Sequence, residues 1–213
     1  MRKRTAPRNP EGTRKRLVQA AFQEIHRSGF HGADVDAILA AAGVTKGALY
    51  YYFDSKEAIG YAVVDEVITS IIREKWVSPL EKGKNPINVL VGIIQATSLR
   101  PEDLERGCPL NNLSQEMSLL DEGFRTRTAK VFRDWRDAIA AALREGQKCG
   151  LVLSGVDPDE TATFLVAAYE GYISLAKNSQ DARVLQSGQR SLIHYLESLR
   201  AGSGRLAPPA GRG

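Results

Sequence analysis

An all-α fold is predicted for this chain of 213 residues, on three observations. Apolar residues recur at helical spacing along nearly the whole length, and no stretch sustains the period-two alternation with β-branched enrichment that marks strands. The punctuation between segments is also helical, with cap residues followed by proline at starts and glycine at ends.

Thr13 supplies an N-cap for the first helix, in which Leu17, Val18, Ala21, Phe22 and Ile25 form one stripe and Gly29 closes the run. A short second helix starts after Asp34, buries Val35, Ile38 and Leu39, and ends at Gly43. The third contains Tyr50, Tyr51 and Tyr52 and stops around Phe53-Asp54. Ser55 caps a long fourth helix, apolar at Ala58, Ile59, Ala62, Val63, Val67, Ile68 and Ile71, which is expected to end near Val77, before Pro79. Asn85-Pro86 opens a helix with Ile87, Leu90, Val91 and Ile94 on one face, Arg100-Pro101 breaks it, and Cys108-Pro109 repeats the cap-and-proline pattern. A long helix over about 122–148 carries Phe132, Trp135, Ile139 and Leu143 on one side. Asp157-Pro158-Asp159-Glu160 is a strong start signal for a helix reaching about Asn178, and a last helix spans about 182–200. The tail GSGRLAPPAGRG is rich in glycine and proline and is expected to be disordered.

Composition narrows the function classes. Apolar residues are 43% and charged residues 25% of the chain, the balance of an ordinary globular protein. No run reaches the roughly 18 apolar residues of a membrane helix, and the basic N-terminus is not followed by the apolar core of a secretory signal, so no membrane partner and a cytoplasmic location are expected. Cys108 and Cys149 are too few for a disulfide framework, and His26, His31 and His194 are scattered, so no metal and no cofactor are expected. No Gly-rich phosphate loop or nucleophile elbow is present, which argues against an enzyme and leaves no catalytic residue to nominate. The net charge of +4 is uneven: residues 1–56 carry ten Lys/Arg against five Asp/Glu, the remainder 19 against 20. A basic end suggests a polyanion partner, although a solvated arm would look the same.

The stretch TKGALYYYFDSKEA sharpens that suggestion. On a helical wheel Leu49 and Phe53 lie within about 40° of each other and define the buried side. Gly47, Ala48 and Tyr51 fall opposite, with Tyr50 and Tyr52 on the flanks. Together with the preceding helix and the turn Ala42-Gly43-Val44 this makes a helix-turn-helix, whose second helix enters the DNA major groove. Lys46 can donate to guanine there, tyrosine hydroxyls can reach phosphates, and Thr45 and Lys56 can hold the flanking backbone. Basic residues of the N-terminal arm could add phosphate or minor-groove contacts.

The segment GFHGADVDAILAAAGVTKGALYYYFDSKEAI resembles the DNA-binding signature of the tetracycline-repressor (TetR) family, densely and without gaps over residues 13–60. The resemblance implies base-facing roles for Lys46 and Gly47, and phosphate or sugar contacts for Thr45, Tyr50, Tyr51 and Lys56. Tyr52 stands where histidine is frequent, Ala48 where a hydroxyl residue is common, and Ala33-Asp34 replaces a usual pair of hydroxyl residues. It further implies a repressor acting as a homodimer on a palindromic double-stranded operator and released by a small-molecule effector. A fourth helix that swings would move the recognition helices out of register. A regulator answering to a protein partner, or to no ligand, is the alternative.

The expected divisions are a basic arm (1–12), a DNA-binding domain (13–56), a ligand-binding and dimerisation domain (57–201) and the tail (202–213). Residues 162–176 are apolar around much of their circumference, with Ala167, Ala168 and Gly171 allowing close approach. Leu165, Ala168, Tyr172, Leu185, Leu192, Leu196 and Leu199 are therefore candidates for a four-helix dimer interface, though the same residues could close the core of one protomer. Candidate pocket residues are Trp76, Cys108, Asn111, Asn112, Phe132, Trp135, Tyr169 and Tyr172, each of which could equally be core. Cys108, near a helix N-terminus with Arg106 close by, is expected to have a lowered thiol pKa, which would suit an electrophile sensor; a small buried residue is the alternative.

Overall fold

The computed structural model describes residues 10–98 and 100–202, and these fold as an all-α protein. The N-terminal arm, apart from residues 10–12, and nearly all of the C-terminal tail lie outside the described residues.

Helix α1 spans Pro10–Gly32. It starts three residues ahead of Thr13, which is therefore not its cap but a buried residue of the first turn. Gly29 breaks its regularity with φ 76° and ψ 168°, a conformation that L side chains rarely adopt. Helix α2 (Val35–Ala42) is capped by Asp34, whose carboxylate accepts the Asp36 N–H at 2.9 Å, and Gly43 ends it at φ 64°. Helix α3 (Lys46–Tyr52) opens with Thr45 Oγ1 accepting the Ala48 N–H.

Helix α4 covers residues 56–82, with Ser55 as its cap. It does not stop before Pro79. Wider π-type turns over Val63–Ile68 and Arg73–Val77 alternate with α segments, and Pro79 sits at the start of the final segment Ser78–Lys82. Proline is tolerated at such a start because its missing N–H is not needed there.

The larger body contains α5 (Pro86–Gln95), α6 (Pro101–Arg106), α7 (Pro109–Met117), α8 (Glu122–Lys148), α9 (Pro158–Ser179) and α10 (Ala182–Ser198). Asn85, Asp121, Asp157 and Asp181 each accept a first-turn backbone N–H, so four of these starts are fixed by side-chain caps. Phe124, Trp135, Ile139 and Leu143 of α8 are fully buried at the centre.

The α9–α10 pair corrects the expected dimer surface. Leu165, Leu185, Leu192, Leu196 and Leu199 are all buried within one protomer, so they close its own core rather than face a partner. Tyr172 is likewise committed internally: a Cβ on Gly188 would come within 2.1 Å of its ring, so the two helices meet through that glycine. The apolar surface that α9 leaves outward carries Phe164 (48% exposed) and Leu175 (59%), with Ala168 and Gly171 between them at helical spacing.

Side-chain links join the three-helix N-terminal unit and the start of α4 to the body, among them Arg14 with Glu66 farther along α4 at 2.8 Å. Glu116 on α7 accepts the N–H groups of Phe30 and His31, both at 2.8 Å, and lies 3.0 Å from His31 Nδ1. Burial opposes its charge, but the His31 and Phe30 N–H groups outweigh this and hold the carboxyl below its usual range. His26 Nε2 donates to the Gly107 carbonyl at 3.1 Å, and Tyr61 on α4 donates to Asp121 at 2.8 Å.

Candidate nucleic-acid interface and internal cavity

Helix α3 has the orientation expected of it. Leu49 and Phe53 are buried, while Lys46, Gly47, Tyr50 and Tyr51 are exposed, each tyrosine by 38%. A Cβ on Gly47 would meet only Thr45 Oγ1 at 3.9 Å, so nothing inside the protein requires glycine there. Ala48 is half-buried beside it. Tyr52 packs against the core and edge-on to Tyr51, with ring centroids 4.9 Å apart, and its hydroxyl is sealed without a hydrogen-bond partner. Thr45 is exposed, its oxygen engaged as the cap.

Lys56, expected to hold the flanking backbone, also has partners within the protein. Its ammonium donates to the His31 carbonyl at 3.2 Å and lies 5.1 Å from the centre of the Phe30 ring. It therefore ties the start of α4 to the end of α1.

A cavity of about 730 Å³ lies within the body, among α4, α5, the α6–α7 junction, α8 and α9. Four expected residues converge on it: Trp76, Cys108, Trp135 and Tyr169. Asn111 and Asn112 do not. They line a separate cleft against α1, where Asn111 donates to Ser174 and Asn112 bonds with the Arg106 carbonyl and Lys177. Phe132 and Tyr172 line neither; Phe132 stacks on Trp135.

Lys75, Thr97 and Glu170 of the cavity were not singled out from the sequence. Lys75 Nζ donates to the Tyr169 hydroxyl at 2.6 Å, and that hydroxyl lies 3.1 Å from Thr97 Oγ1. Glu170 is only 6% exposed, and among the described residues its carboxylate meets no nitrogen or oxygen donor, only the weak Cys108 thiol. Two signals were available: Lys75 is adjacent to Trp76, and Glu170 is the lone charge in the apolar run 162–176.

Burial raises the Glu170 carboxyl to about 7, with Cys108 and Lys75 pulling in the opposite direction. The expected activation of Cys108 is reversed. Burial, reinforced by the Glu170 charge, pushes its thiol far up and outweighs the backbone N–H groups of Asn111 and Leu110. The thiol is neutral, which is the opposite of a reactive thiolate.

The Glu170 shift has a stability consequence of definite sign. The folded chain holds this proton more tightly than the unfolded chain, so stability falls as pH rises from about 4.5 to about 7. Glu170→Gln is therefore expected to stabilise the fold by at most about 3 kcal/mol above neutrality and by nothing below the unfolded value. Thermal denaturation between pH 4 and pH 8 measures this; a variant no more stable than wild type at pH 8 would contradict the assignment.

Residues 17–63 match the family of bacterial regulatory proteins of the tetR type, and residues 88–192 match the tetracyclin repressor-like C-terminal domain. The HTH-type transcriptional repressor DhaR of Mycobacterium sp. (strain GP1) is 30% identical over 75% of this chain and 80% of its own. The transcriptional regulator AcuR of Cereibacter sphaeroides is 31% identical over 76% and 74%. Among solved structures, regulatory protein TetR from Rhodobacter sphaeroides superposes with TM-score 0.76 at 28% identity, over 85% of this chain and 97% of that one. Reduced E. coli NemR gives 0.75 at 25%, over 89% and 97%. With the exposed α3 face on a helix-turn-helix and a helical body enclosing a cavity, the chain belongs to the TetR family of DNA-binding transcriptional regulators and is not an enzyme.

Proposed function

We propose that this chain is a repressor that binds a two-fold DNA operator as a dimer and releases it when a small molecule fills the body cavity. The observation that carries this reading is the route from cavity to DNA face. Gly107 and Cys108, immediately before α7, line the cavity, and Glu116 near the end of α7 grips Phe30 and His31. A ligand that moves the start of α7 therefore acts on the joint that sets the attitude of α1–α3. Its differential affinity for the two attitudes would shift the population away from the DNA-binding one.

Lys46 and Gly47 are assigned to base edges, and Thr45, Tyr50 and Tyr51 to the flanking backbone, supported by their exposure on one side of α3. Dimerisation is assigned to the outward stripe of α9, where Phe164 and Leu175 are exposed with Ala168 and Gly171 between them. Such a pairing would set the half-site spacing. A cavity of about 730 Å³ is the size of a small-molecule site, which favours this reading over a regulator without a ligand. The neutral Cys108 thiol favours an effector held without a covalent bond. The reading carries a cytoplasmic location with it, and repressor rather than activator is supported by relatives such as DhaR.

Two measurements test it. Fluorescence anisotropy with a duplex from the region upstream of the gene should find Tyr51→Ala weakened about tenfold with an unchanged melting temperature. Tyr52→Ala should lose about 2 kcal/mol or more of fold stability, as expected for truncating a packed ring; the reverse order would mean that α3 presents a different face. Sedimentation of Leu175→Glu should give monomers with wild-type helicity and little operator binding, and a dimer of undiminished affinity would rule out the α9 stripe.

A further inference from the structure

The cavity carries a specific and unusual set of unfinished hydrogen bonds. Lys75 sits 5.9 Å from the centre of the Trp76 ring and 5.1 Å from that of Tyr169, so the place where aromatic faces gather around a cation is already filled by the protein. The hydroxyls beyond it are spent: Thr97 Oγ1 donates to the Ile93 carbonyl at 3.4 Å and takes part with Tyr169 in the 3.1 Å bond. Lys75 itself makes one hydrogen bond among the described residues, so two of its N–H groups remain to give. Glu170, more than nine-tenths buried, meets only the weak Cys108 thiol among the described residues, so its two oxygens keep acceptor capacity. The Trp135 indole N–H, fully buried on the same wall, is also unpaired.

Charge limits what can complete this set. Lys75 and Glu170 are opposite in sign and are not hydrogen-bonded to each other. Asp103, the other acidic residue of the lining, is already paired with Arg100 at 2.8 Å. An anionic ligand would match Lys75 but face Glu170, and a cationic one would match Glu170 but face Lys75. Against walls this apolar, a charge without a counter-ion is disfavoured.

We infer that the cavity takes an uncharged, largely apolar molecule bearing one group that both accepts and donates a hydrogen bond, a hydroxyl or an amide, seated between Lys75 and Glu170. This rests on reading the cavity as the effector site. The ligand oxygen accepts from Lys75, its O–H or N–H donates to Glu170, and an amide carbonyl has a second lone pair for Trp135. The ring surfaces of Trp76 and Trp135 hold the apolar part.

The chain has two tryptophans, and both line this cavity, so intrinsic fluorescence reads its occupancy directly. The full chain is titrated at pH 8, above the Glu170 transition at about 7, with octanamide, 1-octanol, octanoate and octylamine. Octanamide and 1-octanol should bind at least tenfold more tightly than either charged analogue. Glu170→Gln leaves Lys75 without an opposing charge and should improve octanoate about tenfold relative to octanamide; Lys75→Met should do the same for octylamine. Octanoate or octylamine binding wild type as well as octanamide does, or a selectivity that neither substitution moves, would overturn the ligand class. No fluorescence response to any of the four in any of the three proteins would instead overturn the effector-cavity reading itself.

Discussion

One carboxylate, Glu116, receives two backbone N–H groups and so joins the end of α1 to α7. Gly29 turns the chain at φ 76°, and the amides of Phe30 and His31 that follow point at α7 instead of continuing a helical ladder. A Cβ at residue 29 would be strained at this φ and would come within 2.9 Å of Glu116 Oε2, so a larger residue would have to displace the carboxylate. Charge-assisted bonds to backbone N–H groups are among the stronger hydrogen bonds in proteins. Lys56, bonded to the next carbonyl, closes the other side of the joint. These directional contacts add to an apolar joint in which Phe22, Ile25 and Phe30 share one buried core with Leu113, Met117 and Phe124.

The cavity lies at the other end of the same short helix. Its wall carries the Glu170 carboxylate and the Trp135 indole N–H, neither of which meets a nitrogen or oxygen partner among the described residues. In the proposed mechanism a ligand group that bonds with them would bear on α7, because Gly107 and Cys108 line the cavity and Pro109 begins the helix. The polar cleft beside α1 is different in kind: Asn111, Asn112 and Lys177 already satisfy one another there and with their neighbours.

What was legible in the sequence was local. Asp34, Ser55, Asn85 and Asp157 cap helices through bonds that span two or three residues, so their meaning does not depend on the rest of the fold. The wheel of α3 was legible for the same reason, with Leu49 and Phe53 inward and Tyr51 outward. Periodicity also found the leucine stripe of α10, but it cannot tell what covers a stripe, and the covering turned out to be the same protomer. Cys108 misled because its near neighbours in sequence, a helix start and Arg106, favour a thiolate. The decisive neighbour, Glu170, lies far along the chain, and burial exceeds both. Asn111 and Asn112 line a different cleft from Trp76, Cys108, Trp135 and Tyr169, a division that is tertiary information. Pro79 was read as a stop, whereas it starts a new segment of a helix that continues past it.

The most direct test of the account is the operator affinity of Glu116→Gln compared with wild type, measured by anisotropy at several salt concentrations under conditions where both are folded. The account predicts an affinity lowered at least tenfold with the same slope of log affinity against log salt, because the phosphate contacts of α3 are intact while its attitude is no longer held. An unchanged affinity would contradict the claim that the Glu116 joint positions the DNA-reading face.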